Sequence, residues 1–234
     1  MSDLTDNLKW ELKKNPLFQE LDDKTFDELL RSAQPKIHKS RKLIFHEGDP
    51  GGSLLMILSG QIKISSVAAN GKECVLAFLG PGDVVGELTF LDGGARTATA
   101  QAIEPTRTLE LSRQPFIKVL ENNPAIALKI IEIVCKRLRA TSEMVEDATL
   151  LAAAPRLART LLRLSRSNGV DTKDGVLIDL PLSQGTLGAH AGLLRESVNR
   201  QLRAWESEGV VDRRDNRIVL LRQDLLNAVC DEIV

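Results

Sequence analysis

The order of apolar and polar positions divides the chain into stretches of different periodicity. In residues 7–34, Leu17-Phe18 is followed by Leu21, Phe26, Leu29 and Leu30 at helical spacing, and Pro35 is expected to close that stretch. Residues 36–114 change to short apolar runs: Leu43-Ile44-Phe45, Leu54 to Leu58, Ile62-Lys63-Ile64, Val75 to Leu79, Val84-Val85 and Leu109-Glu110-Leu111. Gly48-Asp49, Ser59-Gly60, Asn70-Gly71 and Gly80-Pro81-Gly82 punctuate them. Many short strands at close spacing predict an antiparallel roll or barrel. Asn70-Gly71 between apolar runs is the clearest hairpin signal.

Helical texture returns over residues 116–152, with Pro124 at a plausible start. Ala127, Ile131, Val134, Leu138, Thr141, Val145, Ala148 and Ala152 form a heptad seam. Two arrangements satisfy it: one amphipathic helix packed on its own domain, or a parallel dimeric coiled coil. Thr141 is polar on this apolar seam, where such a residue sets register or serves a site. Ala153-Ala154-Pro155 is expected to end the helix and mark a domain boundary.

Beyond it, residues 156–166 carry Leu157, Leu161, Leu162 and Leu164 at helical spacing, Ser167-Asn168-Gly169 breaks the pattern, and Val176 to Leu180 is a short strand. Ser183 is a good N-cap for a helix with Leu187 and Ala191 on its buried face. Gly192 permits a sharp turn into a second helix with Val198, Leu202 and Trp205 on one side. The other side carries Arg195, Glu196, Asn199, Arg200 and Arg203. Two short strands around Asp215-Asn216 make a β-wing whose Arg213, Arg214 and Arg217 could meet phosphates. The pattern is that of a winged helix–turn–helix; an ordinary helical pair with solvated arginines is the alternative.

Composition narrows the class. The chain has 234 residues, 43 % hydrophobic and 27 % charged, with no Tyr and a net charge of −1. Bulk charge therefore argues neither for nor against nucleic acid, and a DNA surface has to come from placement. Residues 154–234 hold twelve basic and eleven acidic residues, and eleven of the twelve are Arg. Arg suits bidentate contact with guanine and with phosphate. Cys74, Cys135 and Cys230 are odd in number and far apart, which fits a reducing cytoplasm. The polar Met1 to Asp6 start and the lack of a long apolar run point away from a signal peptide or membrane span. No His/carboxylate cluster with metal spacing and no nucleophile elbow suggests an enzyme or a metal site.

The remaining segment is Gly86-Glu87-Leu88-Thr89-Phe90-Leu91-Asp92-Gly93-Gly94-Ala95-Arg96-Thr97-Ala98. An anion site wants backbone N–H groups free at a turn, which Leu88 and Thr89 would supply, and Arg96 is a charge-assisted partner for phosphate. Glu87 accepts only, so its natural partner is a hydroxyl such as a ribose 2′-OH. A Glu87–Arg96 ion pair bracing a loop is the competing arrangement.

These motifs together resemble the CRP/FNR family of bacterial regulators, whose type member is the cyclic AMP receptor protein. The resemblance covers nearly the whole chain: Glu47-Gly48-Asp49, Ser59-Gly60, Gly82-Asp83, Gly86-Glu87-Leu88, Arg96-Thr97, Arg137-Leu138-Arg139-Ala140-Thr141-Ser142-Glu143, and Arg195-Glu196-Ser197-Val198-Asn199-Arg200. It implies an α+β architecture: a cyclic-nucleotide-binding β-roll of the jelly-roll type over 1–123, a dimerisation helix over 124–153 and a winged helix–turn–helix over 154–234. It implies a cyclic nucleotide held by Gly86, Glu87, Leu88, Arg96, Thr97 and Ala98. Thr141 would reach the base from the same chain and Ser142 from the partner chain. Ser183, Arg195, Glu196, Asn199, Arg200 and the three wing arginines would contact DNA, with TGTGA-like half-sites in a palindrome. A cytoplasmic homodimer that works with RNA polymerase is the implied assembly, with activation and repression both left open. Cyclic AMP is the first expected effector. Arg96-Thr97-Ala98-Thr99 also resembles cyclic-GMP-binding cassettes, so cyclic GMP is the second, and a regulator gated by another effector or binding DNA constitutively is the alternative. Leu194, Gly185 and His190 depart from the family pattern, and the cysteine cluster of its iron–sulfur branch is missing. His38 and His46 are read as ordinary histidines, not haem ligands.

Overall fold

The computed structural model describes Lys9, Leu12, Lys13, residues 15–19 and residues 21–231. The Met1 to Asp6 start and much of the 7–20 stretch lie outside the described residues. The described residues form two compact units, one comprising residues up to 66 and 77–139, the other 67–76 and those from 140 onward.

In the first unit, Asp22 caps helix α1 (Asp23–Arg31), its carboxylate accepting from the Thr25 N–H at 3.0 Å. Strand β1 (Ala33–His38) follows almost at once. Pro35 thus sits inside a strand and does not close a helix. β1 is an edge strand, where a residue without an N–H is tolerated. The further strands are β2 (Leu43–Phe45), β3 (Ser53–Ser59), β4 (Ile62–Val67), β5 (Glu73–Leu79), of which only residues from 77 on fall in this unit, β6 (Val84–Val85), β7 (Thr99–Ala102) and β8 (Thr106–Ser112). They form two four-stranded sheets in the orders β1-β8-β3-β6 and β2-β7-β4-β5. The architecture is the expected jelly-roll-like one.

β3 shows why its sequence is continuously apolar. Leu54 and Met56 pack into a core with Phe18, Phe26, Phe90, Phe116, Ile126 and Ile130. Leu55 and Ile57, pointing the other way, pack with Ile62, Leu79, Val85 and Ala100. Both faces of the strand are covered. Phe18–Phe26, Phe18–Phe116 and Phe90–Phe116 meet edge-on, with centroids 6.4, 6.2 and 5.3 Å apart. Phe90 lies on the short helix α2 (Glu87–Asp92) and Phe116 on α3 (Arg113–Asn122), so the aromatic cluster anchors the Gly86 segment from below.

Helix α4 (Pro124–Leu150) begins at the expected proline. Ile126 and Ile130 face the core, whereas the seam residues Ile131, Leu138 and Val145 are 54, 65 and 61 % exposed. The seam is therefore not the face that packs on its own domain. Helix α5 (Ala153–Asn168) takes Ala152 as its N-cap and holds Pro155 in its first turn. Pro155 starts a helix and does not break one, because first-turn N–H groups have no intrahelical acceptor to lose. The last seam residue, Ala152, falls outside α4.

In the second unit, α5 buries Leu157, Leu161 and Leu164. β9 (Gly169–Asp171), β10 (Val176–Ile178), β11 (Val211–Arg214) and β12 (Arg217–Leu220) form a sheet in the order β11-β12-β10-β9. Helices α6 (Gln184–Ala191), α7 (Arg195–Ser207) and α8 (Gln223–Asp231) complete it. The Asp215-Asn216 turn has φ of 47° and 63°, the left-handed pair that a two-residue hairpin demands. Asp147, only 2 % exposed, is shared by Arg159 at 3.0 Å and by Arg163. Arg156 donates to the carbonyls of Leu151 at 2.6 Å and Gly192 at 3.4 Å.

Candidate nucleotide site and DNA interface

Gly86 opens α2 with φ 84°, and a Cβ there would lie 2.0 Å from Arg96 Nη1. Only glycine lets the turn and the guanidinium share this space. The backbone of Arg96 is fixed by its N–H on Asp49 O and by the Gly48 N–H on Arg96 O, each 2.8 Å. Its side chain is 6 % exposed. Nη1 donates to Thr89 Oγ1 at 3.0 Å and Gly86 O at 3.4 Å. Nη2 donates to Ser53 O at 3.0 Å and Ser53 Oγ at 3.2 Å. The Phe45 ring centroid lies 4.3 Å from Cζ. Burial pushes the Arg96 guanidinium below its ordinary value, against the opposing pull of Glu110, Asp49 and Glu87.

One donor is left over. Arg96 Nε is buried and has no hydrogen-bond partner among the described residues. Gln61 Oε1 and Arg156 Nε are in the same state, so the lone donor points to a ligand only together with its place beside the Gly86 turn, where an anion would also offset the buried charge of Arg96.

Glu87 is 3 % exposed. It does not pair with Arg96. Its Oε2 is bound by Arg137 Nη1, while Arg137 Nη2 donates to Val84 O. The bracing ion pair considered from the sequence is therefore replaced by a different one. Leu88 and Thr97 are exposed and Ala98 is buried. Thr141 and Ser142 are both exposed on α4 and belong to the second unit, so the described geometry of Glu87 and Arg96 stands without them. Sequence reasoning assigned no role to Arg137, Ser53 or Phe45. Arg137 stood inside a quoted motif; Ser53 and Phe45 carry no local signal.

In the second unit, Ser183 caps α6, its Oγ accepting from the Thr186 N–H at 3.0 Å. Gly192, at φ 67°, turns the chain into α7, whose buried face is Val198, Leu202 and Trp205. Arg195, Glu196, Arg200 and Arg203 are exposed. Gln184 Nε2 donates to Asn199 Oδ1 at 3.1 Å, which orients that carboxamide. A concave space of about 610 Å³ lies between Ser183, Gln184, Arg195, Arg213 and Arg217. The wing arginines are not free cations. Arg213 Nε donates to Glu206 Oε1 at 2.6 Å, Arg214 binds Asp212 at 2.7 Å and Asp174 at 3.0 Å, and Arg217 binds Asp179 at 2.7 Å. A phosphate would have to compete with these carboxylates, at modest cost because the pairs are partly exposed.

Residues 36–123 match the cyclic nucleotide-binding domain family, and residues 155–229 match the Crp-like helix-turn-helix domain family. The chain is 33 % identical over 200 residues to the cyclic AMP receptor protein of Thermus thermophilus, covering 86 % of this chain and 89 % of that protein. The chain belongs to the CRP/FNR family of transcription regulators. As a CRP/FNR protein it carries a cyclic nucleotide-binding domain and binds DNA through its helix–turn–helix. Two solved structures share the fold. FixK2 of Bradyrhizobium japonicum is 23 % identical with a TM-score of 0.75 over 84 % of this chain and 96 % of that one. The c-di-GMP responsive global regulator CLP of Xanthomonas campestris is 25 % identical with a TM-score of 0.73 over 85 % of this chain and 99 % of that one. Among the described residues of this CRP/FNR protein no helix is long and apolar enough to cross a membrane, and no group of His, Cys, Asp and Glu is arranged to hold a metal ion.

Proposed function

We propose that this protein is a cyclic-AMP-gated homodimer that binds a palindromic, TGTGA-like DNA site and regulates transcription with RNA polymerase, cyclic GMP being the second effector. The observation that carries the effector reading is the buried, unpartnered Nε of Arg96 beside Thr89, Gly86 and Ser53. A cyclic phosphate supplies acceptors and negative charge at one point, and Glu87 is the acceptor for a ribose hydroxyl. Thr141 is assigned to the base from the same chain and Ser142 from the partner chain. Dimerisation is supported by the exposed apolar seam of Ile131, Leu138 and Val145. Base reading falls to Arg195, Glu196, Asn199 and Arg200, with Ser183 on phosphate and the wing arginines held in reserve by their carboxylates. The ligand acts by binding the DNA-competent arrangement more tightly than the other.

Titration calorimetry with cyclic AMP and cyclic GMP tests this, followed by binding to the palindromic duplex. Failure of both nucleotides to bind sinks the gating. The second reading is a regulator of the same kind with a different effector or none. It is favoured by the ion pair that already engages Glu87 with Arg137, and by the likeness to a c-di-GMP responsive regulator. Saturable binding of another nucleotide, with cyclic AMP inert, would establish it.

A further inference from the structure

We propose that Leu194 is a specificity-determining residue whose side chain contacts the 5-methyl group of a thymine in the bound duplex. The proposal rests on the DNA-binding reading and adds one base contact to it. Leu194 is the N-cap residue of α7, with φ −71° and ψ 146°, and provides no side-chain cap hydrogen bond. Its side chain is 68 % exposed, the highest exposure among the large hydrophobic residues of the helix–turn–helix. The position favours Ser, Thr, Asp or Asn, whose oxygen accepts a first-turn N–H. A leucine here forgoes that bond and also leaves a large apolar surface in water. An isolated exposed leucine on a helix flank needs no account. One that displaces a cap, at the mouth of a recognition helix, gains only if something outside the fold covers it.

Duplex DNA is the occupant that the surroundings favour. Leu194 precedes Arg195 and Glu196, both exposed, with exposed Arg200 on the same helix. The N-terminal residues of a recognition helix are the ones that meet base edges. On those edges the thymine methyl is the largest apolar group that a side chain can cover, most of the other features being hydrogen-bond donors or acceptors. A protein partner would be expected to want a broader apolar patch, and the neighbours of Leu194 along α7 are charged.

The test replaces thymine by deoxyuridine, one position at a time, in a duplex selected by the full-length protein with cyclic AMP from a random pool. Removing one methyl from a buried apolar contact weakens binding about fourfold. The wild type is expected to lose about that factor at one thymine per half-site, and Leu194→Ala to bind thymine and deoxyuridine there equally. Leu194→Ser is expected to raise the thermal midpoint by restoring a cap while also losing the methyl sensitivity, which separates specificity from folding. A flat deoxyuridine scan with intact DNA binding, or a sensitivity unchanged in Leu194→Ala, overturns the contact alone. Failure of the wild type to select any duplex with cyclic AMP, with cyclic GMP and without nucleotide alike overturns the DNA-binding reading and this contact with it.

Discussion

The carboxylate of Glu87, next to the Gly86 turn, is paired with the guanidinium of Arg137 on the long helix α4. The pair ties the nucleotide cassette to the helix that carries the seam. Any ligand that takes the Glu87 carboxylate either displaces Arg137 or shares it. Arg137→Ala leaves a carboxylate of 5 % side-chain exposure without its cation. It is expected to lower the stability of the first unit by about 1–3 kcal/mol in urea unfolding, and Glu87→Gln in the same background to restore part of it.

Arg96→Leu tests the phosphate contact, with urea unfolding of the variant measured beside it because the guanidinium also holds Thr89, Gly86 and Ser53. The guanidinium makes its bonds at the cost of burial and of an unpartnered Nε. Its removal is expected to cost at least about tenfold in cyclic AMP affinity, since hydrogen bonds to charged groups contribute about 1.5–3 kcal/mol. DNA binding of the variant is expected to stop responding to nucleotide. Unchanged calorimetric affinity would assign the phosphate elsewhere.

Asp147 is the acid that two arginines of α5 share near the end of α4. Asp147→Ala leaves Arg163, of 17 % side-chain exposure, and the more exposed Arg159 without their acceptor. The expected loss is about 3 kcal/mol in equilibrium unfolding of the second unit. A double variant with Arg163→Met is expected to lose less than the single changes added together.

Two histidines set an acid limit on stability. His38 is 9 % exposed with Nε2 2.9 Å from Thr108 Oγ1. Burial lowers its pKa, with Lys36 and Lys42 adding to the effect and Glu110 opposing it. His190 is 8 % exposed and donates from Nδ1 to Val75 O at 2.9 Å, within the same compact unit. Burial lowers its pKa too, Arg163 adding and the Val75 bond opposing. Both rings are neutral in the fold, while the unfolded chain takes up a proton near the ordinary value of 6.5. Their stabilising contribution is complete above that value. It is lost as pH falls through the window between 6.5 and the depressed folded pKa. The urea midpoint is expected to drop as pH falls below the ordinary histidine value of 6.5. His38→Gln and His190→Gln should each flatten part of that slope.

Arg200 is exposed on α7 and, among the described residues, has no carboxylate partner of the kind that holds the wing arginines. Arg200→Ala is expected to cost about 1–3 kcal/mol on the preferred site. Anisotropy titrations at fixed salt check it against random DNA. Equal losses on both would show that Arg200 touches phosphate only.

The strands and helices that bury a strong periodic face were readable from the chain. β2 and β6 have the boundaries that their apolar runs suggest, and α7 buries Val198, Leu202 and Trp205 as spaced. The missed strands lack such runs. β7 is Thr-Ala-Gln-Ala, and β1 is Ala-Gln-Pro-Lys-Ile-His, whose pairing to β8 joins positions far apart in sequence. Pro35 and Pro155 look like stops along the chain because a proline lacks an N–H, but an edge strand and a first helical turn do not need one.

By itself the sequence determined the family, its two kinds of domain, and the residue types offered to a nucleotide and to DNA. These follow from local periodicity, turn chemistry and motifs, which neighbouring residues carry. Only the tertiary structure decided which charge meets which: Glu87 with Arg137 and not Arg96, Asp147 between Arg159 and Arg163, each wing arginine on its own carboxylate, and a buried Arg96 with one donor to spare. Charges act through space over a few ångströms. Their partners are set by how distant segments pack, which spacing along the chain does not encode.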